Sequence, residues 1–213
     1  MKIKSILFDL DNTLYEENDY LVAVFDEFFK LKNIKHNIVP FLSNGFRLNS
    51  SDIFGDILKK LNIYSSTSQL ELFHIYKNLN TNLNLYDSAY ILIDILKKKN
   101  IKLGIITNGV AQAQKCKIKC LKIANMFDVI IYARKWGKSY EKPNKKPFDE
   151  ALKILNFDKS EVLFVGDNPL TDILGAENAG IKSIRFINGY MKNIKSTCIN
   201  NIKDLYQVED FLL

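Results

Sequence analysis

Short apolar runs alternate with amphipathic stretches along most of this chain, and one long block breaks the alternation. Residues 3–9 form a compact run of β-branched, aliphatic and aromatic side chains and predict a buried strand. From residue 86 onward, strand-like and helix-like patterns take turns. Helical spacing covers 89–99, 110–121, 147–155 and 169–179, and strand-like runs cover 102–107, 129–132, 162–165 and 183–186. Pro147 opens one helix and Gly180 stops another. This order implies βαβ units around a parallel sheet. The break runs from residue 17 to about 83. It holds helical patterns at 20–32, 53–61 and 70–79 between Asn-, Ser- and Gly-containing segments, with no convincing strand. The expected architecture is an α/β fold with an inserted helical block. The tail, 202–213, is expected to end in a short helix packed back on the core.

Composition narrows the picture only a little. At 213 residues the chain can bury a full core. A hydrophobic content of 47% with 25% charged residues is that of an ordinary soluble domain. The net charge of +6 raises the question of nucleic acid. The lysines, however, are scattered among Asn and Ile with no Arg-rich or basic–aromatic stripe, so no nucleic acid is expected. A positive surface still favours an anionic small-molecule substrate. Three cysteines, Cys116, Cys120 and Cys198, are too few and too odd for a disulfide framework and suit a reducing compartment. Cys116 and Cys120 lack further Cys or His for a zinc set. No apolar run approaches the ~20 residues of a membrane span. With no cleavage site before the first strand, the chain is expected in the cytoplasm, away from membranes.

The chemistry concentrates at strand ends. The first strand finishes in Asp9-Leu10-Asp11, two carboxylates two residues apart, which strand geometry would place on one side. Such crowding is costly unless a cation or a reaction uses it. A second strand ends in Thr107-Asn108-Gly109, and a later one in Gly166-Asp167 with Asp172 five residues on. Lys142 lies in a loop, Glu141-Lys142-Pro143-Asn144, before a helix. In a parallel sheet these ends share one edge. Carboxylates, a hydroxyl, an amide and a lysine together suit a hard cation such as Mg²⁺ and a phosphoryl group.

Asp9-Leu10-Asp11-Asn12-Thr13, Thr107-Asn108, Lys142-Pro143-Asn144 with Pro147-Phe148, and Gly166 to Asp172 stand in the order of the four motifs of the haloacid dehalogenase superfamily. The chain resembles a phosphohydrolase of that superfamily, in the subfamily with a helical cap inserted after the first motif. The resemblance implies a Rossmann-like parallel sheet flanked by helices, with residues 1–15 and 86–213 as core and 16–85 as cap. It implies a Mg²⁺-dependent phosphatase of a small phosphorylated metabolite, a sugar phosphate or a nucleoside monophosphate. Asp9 would be the nucleophile and Asp11 the general acid and base. Asp9, the main-chain carbonyl of Asp11, and Asp167 would hold the metal. Thr107 and the Asn108 N–H would bind the phosphoryl oxygens and Lys142 would neutralise them, with Asp172 orienting Lys142 or a metal-bound water. Asp11 favours phosphate esters over halides, because a halide needs no proton. Phosphosugar mutase-like transfer and a non-catalytic binding protein on the same scaffold are the alternatives.

Other residues carry weaker signals. Asn44, Gly45 and Arg47 are expected in a loop between cap helices. Arg47 is a candidate contact for a polar or anionic substrate group, with a solvated arginine as its bland rival. His36 and His74 lie far from every motif and read as solvated or packed side chains. Trp136 reads as packing, and Gly175 as a helix contact.

Overall fold

The computed structural model describes residues 2–212. Met1 and Leu213, the outer ends of the expected core and tail, lie outside the described residues. Six parallel strands form one sheet in the order β3-β2-β1-β4-β5-β6. They are β1 (Ser5–Phe8), β2 (Lys102–Thr107), β3 (Val129–Tyr132), β4 (Val162–Gly166), β5 (Lys182–Phe186) and β6 (Asn201–Ile202). Because both faces are covered, the central strands are apolar throughout rather than alternating. Ile6, Phe8, Leu103, Ile105, Leu163 and Val165 face one buried cluster. Leu7, Ile106, Val129, Ile131, Val162 and Phe164 face the other.

Helices α5 (Asp87–Lys98) and α6 (Ala111–Leu121) contribute to the first cluster, and α7 (Lys146–Leu155) and α8 (Leu174–Ala179) to the second. A π-helical turn, Pro169–Ile173, leads into α8. The tail ends in a short helix packed back on the core, as expected, and an edge strand that was not expected precedes it. These are the 3₁₀ helix Leu205–Phe211, which buries Leu205 and Val208, and the short strand β6.

Between β1 and α5 lie four α-helices, α1 (Glu17–Lys32), α2 (Asn44–Asn49), α3 (Ile53–Lys60) and α4 (Ser66–Asn78). Helix α1 forms because Tyr20, Leu21, Val24, Phe25, Phe28 and Phe29 recur at helical spacing and are all buried. The Glu16 side chain accepts from the Asn18 N–H at its start, and Asn33 ends it in the left-handed region. Phe25 packs edge-on against Phe54 of α3, and Phe54 against Tyr76 of α4. Asn44, Gly45 and Arg47 fall in helix α2, not in the loop that their composition suggests. The inserted helices join the sheet's first cluster without a break. Helix α4 packs on α6, where the Cys116 thiol donates to the Leu79 carbonyl at 2.7 Å.

Candidate active site

The chain runs outward from β1 in both directions, to β2 on one side and β4 on the other. Such a switch point leaves a crevice at the carboxyl ends of the strands. Asp9 follows Phe8 there and extends the ladder through its N–H to the Val165 carbonyl at 2.9 Å. Asp167 follows β4, and Thr107 is the last residue of β2. Asn12 takes a left-handed conformation, φ 58°, which turns the chain away after Asp11.

Lys142 is buried, and its ammonium meets Asp9 Oδ1 at 2.5 Å, Asp172 Oδ1 at 2.6 Å and the Ile106 carbonyl at 2.8 Å. Asn108 fastens this loop to the end of β2. Its side chain accepts from the Lys142 N–H at 2.8 Å and donates to the Lys142 carbonyl at 2.9 Å. Burial opposes the ammonium, but Asp172 and Asp9 outweigh it and hold the Lys142 pKa above its ordinary value. Asp172 comes this close because Gly166 has no side chain, and a Cβ there would sit 2.6 Å from the Asp172 carboxyl. The Asn168 N–H donates to Asp172 Oδ2 at 3.0 Å. Thr13 holds Asp167, with its hydroxyl accepting from the Asp167 N–H at 3.1 Å.

Asp9 and Asp11 are paired with separate ammonium groups, Lys142 and Lys117. Asp11 Oδ1 accepts from Lys117 at 2.8 Å and from the Tyr15 hydroxyl at 2.5 Å. Gln114 donates to Asp11 Oδ2 at 2.9 Å and to the Thr107 hydroxyl at 2.5 Å. Burial works against the Asp11 carboxylate, yet Lys117, Tyr15 and Gln114 together keep its pKa below the ordinary value. Asp9 goes the other way. Burial first, then Asp172 and Asp11, push it up to about 8 against the pull of Lys142. Burial, Asp172 and Asp9 also raise Asp167 well above the ordinary range.

Asp9, Asp167 and Asp172 offer oxygens within 4.8 Å of one another, all from buried side chains. Burial and mutual repulsion penalise this trio, and hard oxygen donors so placed fit a divalent cation such as Mg²⁺. The Asp11 carboxylate stands outside the trio, turned to Lys117.

A cavity of about 260 Å³ covers these groups. The strand ends supply Asp9, Asp11, Thr107, Asn108 and Asp167, the loop before α7 supplies Lys142, and beyond β4 Asp172 joins them. The remaining wall includes Glu17 of α1, Tyr76 of α4 and Tyr190 after β5. Every sequence-predicted site residue except Arg47 lines it. Arg47 is neither solvated nor at the cavity. It bonds Glu17 Oε2 at 2.5 Å and Asn18 Oδ1 at 2.8 Å and stacks 4.5 Å over the Tyr190 ring. A larger groove, about 640 Å³, runs between α2 and α3 and includes none of the motif residues. His36 and His74 are exposed. Trp136 packs on the second cluster, with Lys135 and Lys146 over its ring.

Sequence reasoning missed Lys117, Gln114 and Glu17. A signal for the first two exists in α6, where Ala113, Gln114, Lys117, Ile118 and Leu121 share the buried stripe. A lysine and a glutamine at core spacing call for a buried partner.

The chain is similar to known proteins. The family model for haloacid dehalogenase-like hydrolases matches residues 6–186. The pyrophosphatase PpaX of Bacillus mycoides is 28% identical over 193 residues, 86% of this chain and 83% of that protein. The HAD-hydrolase YfnB of Bacillus subtilis, bound to magnesium, superposes with a TM-score of 0.74 at 20% identity, covering 100% of this chain and 99% of that one. CbbY of Rhodobacter sphaeroides, in complex with phosphate, gives 0.67 at 18% identity, covering 97% and 96%.

Proposed function

The chain belongs to the haloacid dehalogenase-like hydrolases and is a phosphohydrolase, and on that premise we propose a Mg²⁺-dependent phosphatase of a small phosphorylated metabolite. The observation that carries this reading is Lys142 lodged between Asp9 and Asp172 beside Asp167, at the switch point of the sheet. Residues 16–85 act as the cap that reads the substrate, and residues 1–15 and 86–213 as the catalytic core. The cavity is small, below the 300–1,000 Å³ usual for larger ligands, which suits a sugar phosphate or nucleoside monophosphate over a macromolecule.

In this mechanism an Asp9 oxygen attacks phosphorus, the bond to the leaving oxygen breaks, and Asp9 becomes an aspartyl-phosphate. Asp11 gives a proton to the leaving oxygen. It then takes one from the water that attacks the intermediate, which frees phosphate and Asp9. At rest Asp11 is in the base form, so it first takes up a proton from solvent, against the pull of Lys117, and that proton is the one it gives to the leaving oxygen. Thr107, the Asn108 N–H and Lys142 hold the phosphoryl oxygens. Asp9, the Asp11 main-chain carbonyl and Asp167 are the residues that would hold Mg²⁺, whose charge would offset that of the phosphoryl group.

The test is phosphate release over a panel of sugar phosphates and nucleoside monophosphates, with inorganic pyrophosphate included because PpaX is named for it. Asp9→Asn is expected to lower turnover by about a thousandfold or more, and chelation of Mg²⁺ to abolish it. Undiminished turnover in Asp9→Asn, or after metal removal, would falsify the mechanism. Isotopically labelled water separates hydrolysis, with label in the phosphate, from mutase-like transfer, without it.

A further inference from the structure

We propose that Glu17 sets the charge of the accepted leaving group, restricting this site to monophosphate esters of uncharged alcohols. The inference rests on the phosphatase reading, since it assigns the leaving group to the wall that the strand ends do not supply. Five carboxylates line the cavity, namely Asp9, Asp11, Glu17, Asp167 and Asp172, and the described lining residues include one ammonium, Lys142. Lys142 is engaged by Asp9 and Asp172. Asp9, Asp167 and Asp172 gather at the strand ends, and Asp11 is held by Lys117. Glu17 stands apart. It opens α1, on the same wall as Tyr76 and Tyr190.

A second anionic group on the substrate would need a cation on that wall, and both nearby cations are engaged. Arg47 pairs with Glu17 Oε2 at 2.5 Å, bonds Asn18 and stacks on Tyr190. Lys117 has no exposed surface, belongs to Asp11 at 2.8 Å and has Glu17 Oε1 at 3.8 Å. Asn12 holds Glu17 from the core side, donating to Oε2 at 3.3 Å and accepting from the Glu17 N–H at 3.2 Å. The carboxylate is thus fixed at the cavity, partly exposed to it, and occupies both cations, so a carboxylate or second phosphate there meets Glu17 with no counter-ion to spare. Tyr76 and Tyr190 offer ring faces and hydroxyls, which suit a polyol or a neutral ring. In about 260 Å³ a second charge has little room to lie far from Glu17.

The discriminating pair is 2-hydroxyethyl phosphate and 2-phosphoglycolate, similar in size and different by one carboxylate. The native enzyme is expected to favour the first in kcat/KM by roughly tenfold or more, the scale of one partly screened like-charge contact. Glu17→Gln keeps the shape, removes the charge and releases Arg47. It is expected to narrow that ratio by roughly tenfold, and Glu17→Gln/Arg47→Ala to take back part of the change. If turnover of the pair is too slow to compare, the two esters are ranked as competitive inhibitors of the best panel substrate, with the same order expected. Equal or better use of 2-phosphoglycolate by the native enzyme overturns the proposal, and no variant needs to fold for that result. A ratio unmoved by Glu17→Gln also overturns it. Absence of any Asp9-dependent phosphate release, across the pair and the panel, instead sinks the phosphatase reading and this inference with it.

Discussion

Lys117 is fully buried, with its ammonium 5.4 and 5.3 Å from the ring centres of Tyr20 and Tyr76 and 2.8 Å from Asp11. Burial disfavours its charge, but Asp11 first, and then Tyr76 and Glu17, more than offset this and raise its pKa. The ammonium therefore joins α6 of the core to α1 and α4 of the insertion through one charge. Removing it leaves Asp11 without its cation in a low-dielectric site. Lys117→Met is expected to destabilise the fold by about 3 kcal/mol, the lower end for breaking a buried pair, since Asp11 keeps some exposure. Replacing both partners, as Asp11→Asn/Lys117→Met, is expected to cost clearly less than the sum of the two single changes. Urea unfolding of the four proteins in the cycle measures this, and strict additivity would show that the pair does not couple. Arg47 teaches a related lesson about single residues. Its sequence context suggests a substrate contact, while its charge is engaged inside the protein by Glu17.

At the scale of elements, the ends of strands are fastened by specific side chains as much as by the ladder. Asp128, just before β3, accepts from the Leu103 N–H of β2 at 2.9 Å and from Lys102 Nζ at 2.7 Å. Partial burial works against its charge, but these two donors hold its pKa below the ordinary value. A carboxyl group with a lowered folded-state pKa adds stability above its unfolded value, about pH 4, and loses it as pH falls through the folded value. Asp128→Asn is expected to lower stability at pH 7 by less than about 1 kcal/mol, because the pair is partly exposed. The gap to the native protein should close below pH 4, as read from urea midpoints across a pH series. A gap of constant size down to pH 2.5 would show that the charge is not the cause. Strands β1 to β5 were legible because each is a short apolar run closed by polar residues, and β2 and β3 begin and end where that pattern does, whereas the two-residue edge strand β6 carries no such run. The site residues at strand ends were legible for the same reason. Helix α2 was not, because six residues rich in Asn, with one Gly, carry too little apolar periodicity to stand out, and Arg47 at its C-terminal end takes its place from Glu17 and Tyr190. Lys117 and Glu17 were not legible either. Their partners lie far away in sequence and meet only once α1, α4 and α6 pack together.

For the molecule as a whole, one apolar cluster runs from the sheet into α1, α3 and α4, so insertion and sheet share a core. Loss of order at the strand ends is then expected to be felt by the entire fold, and stability becomes a readout of what binds there. The chain carries a net +6, yet its cavity is lined by five carboxylates and one ammonium among the described residues. Repulsion among Asp9, Asp167 and Asp172 is an unfavourable contribution that a divalent cation would remove. A ligand bound only by the folded state at a hundredfold excess over its dissociation constant adds about 2.7 kcal/mol. For a domain of this size that corresponds to a rise in Tm of roughly 5–10 °C. Mg²⁺ is therefore expected to raise the melting temperature by several degrees, and a chelator to reverse the rise. Asp167→Asn should melt higher than the native protein when both are metal-free, because one like charge is gone. It should also respond little to Mg²⁺. The two effects have opposite signs, so a general loss of stability cannot mimic the pair. A native Tm that Mg²⁺ does not move, or an Asp167→Asn protein that responds as the native one does, would remove the metal from this site whatever the activity assays show.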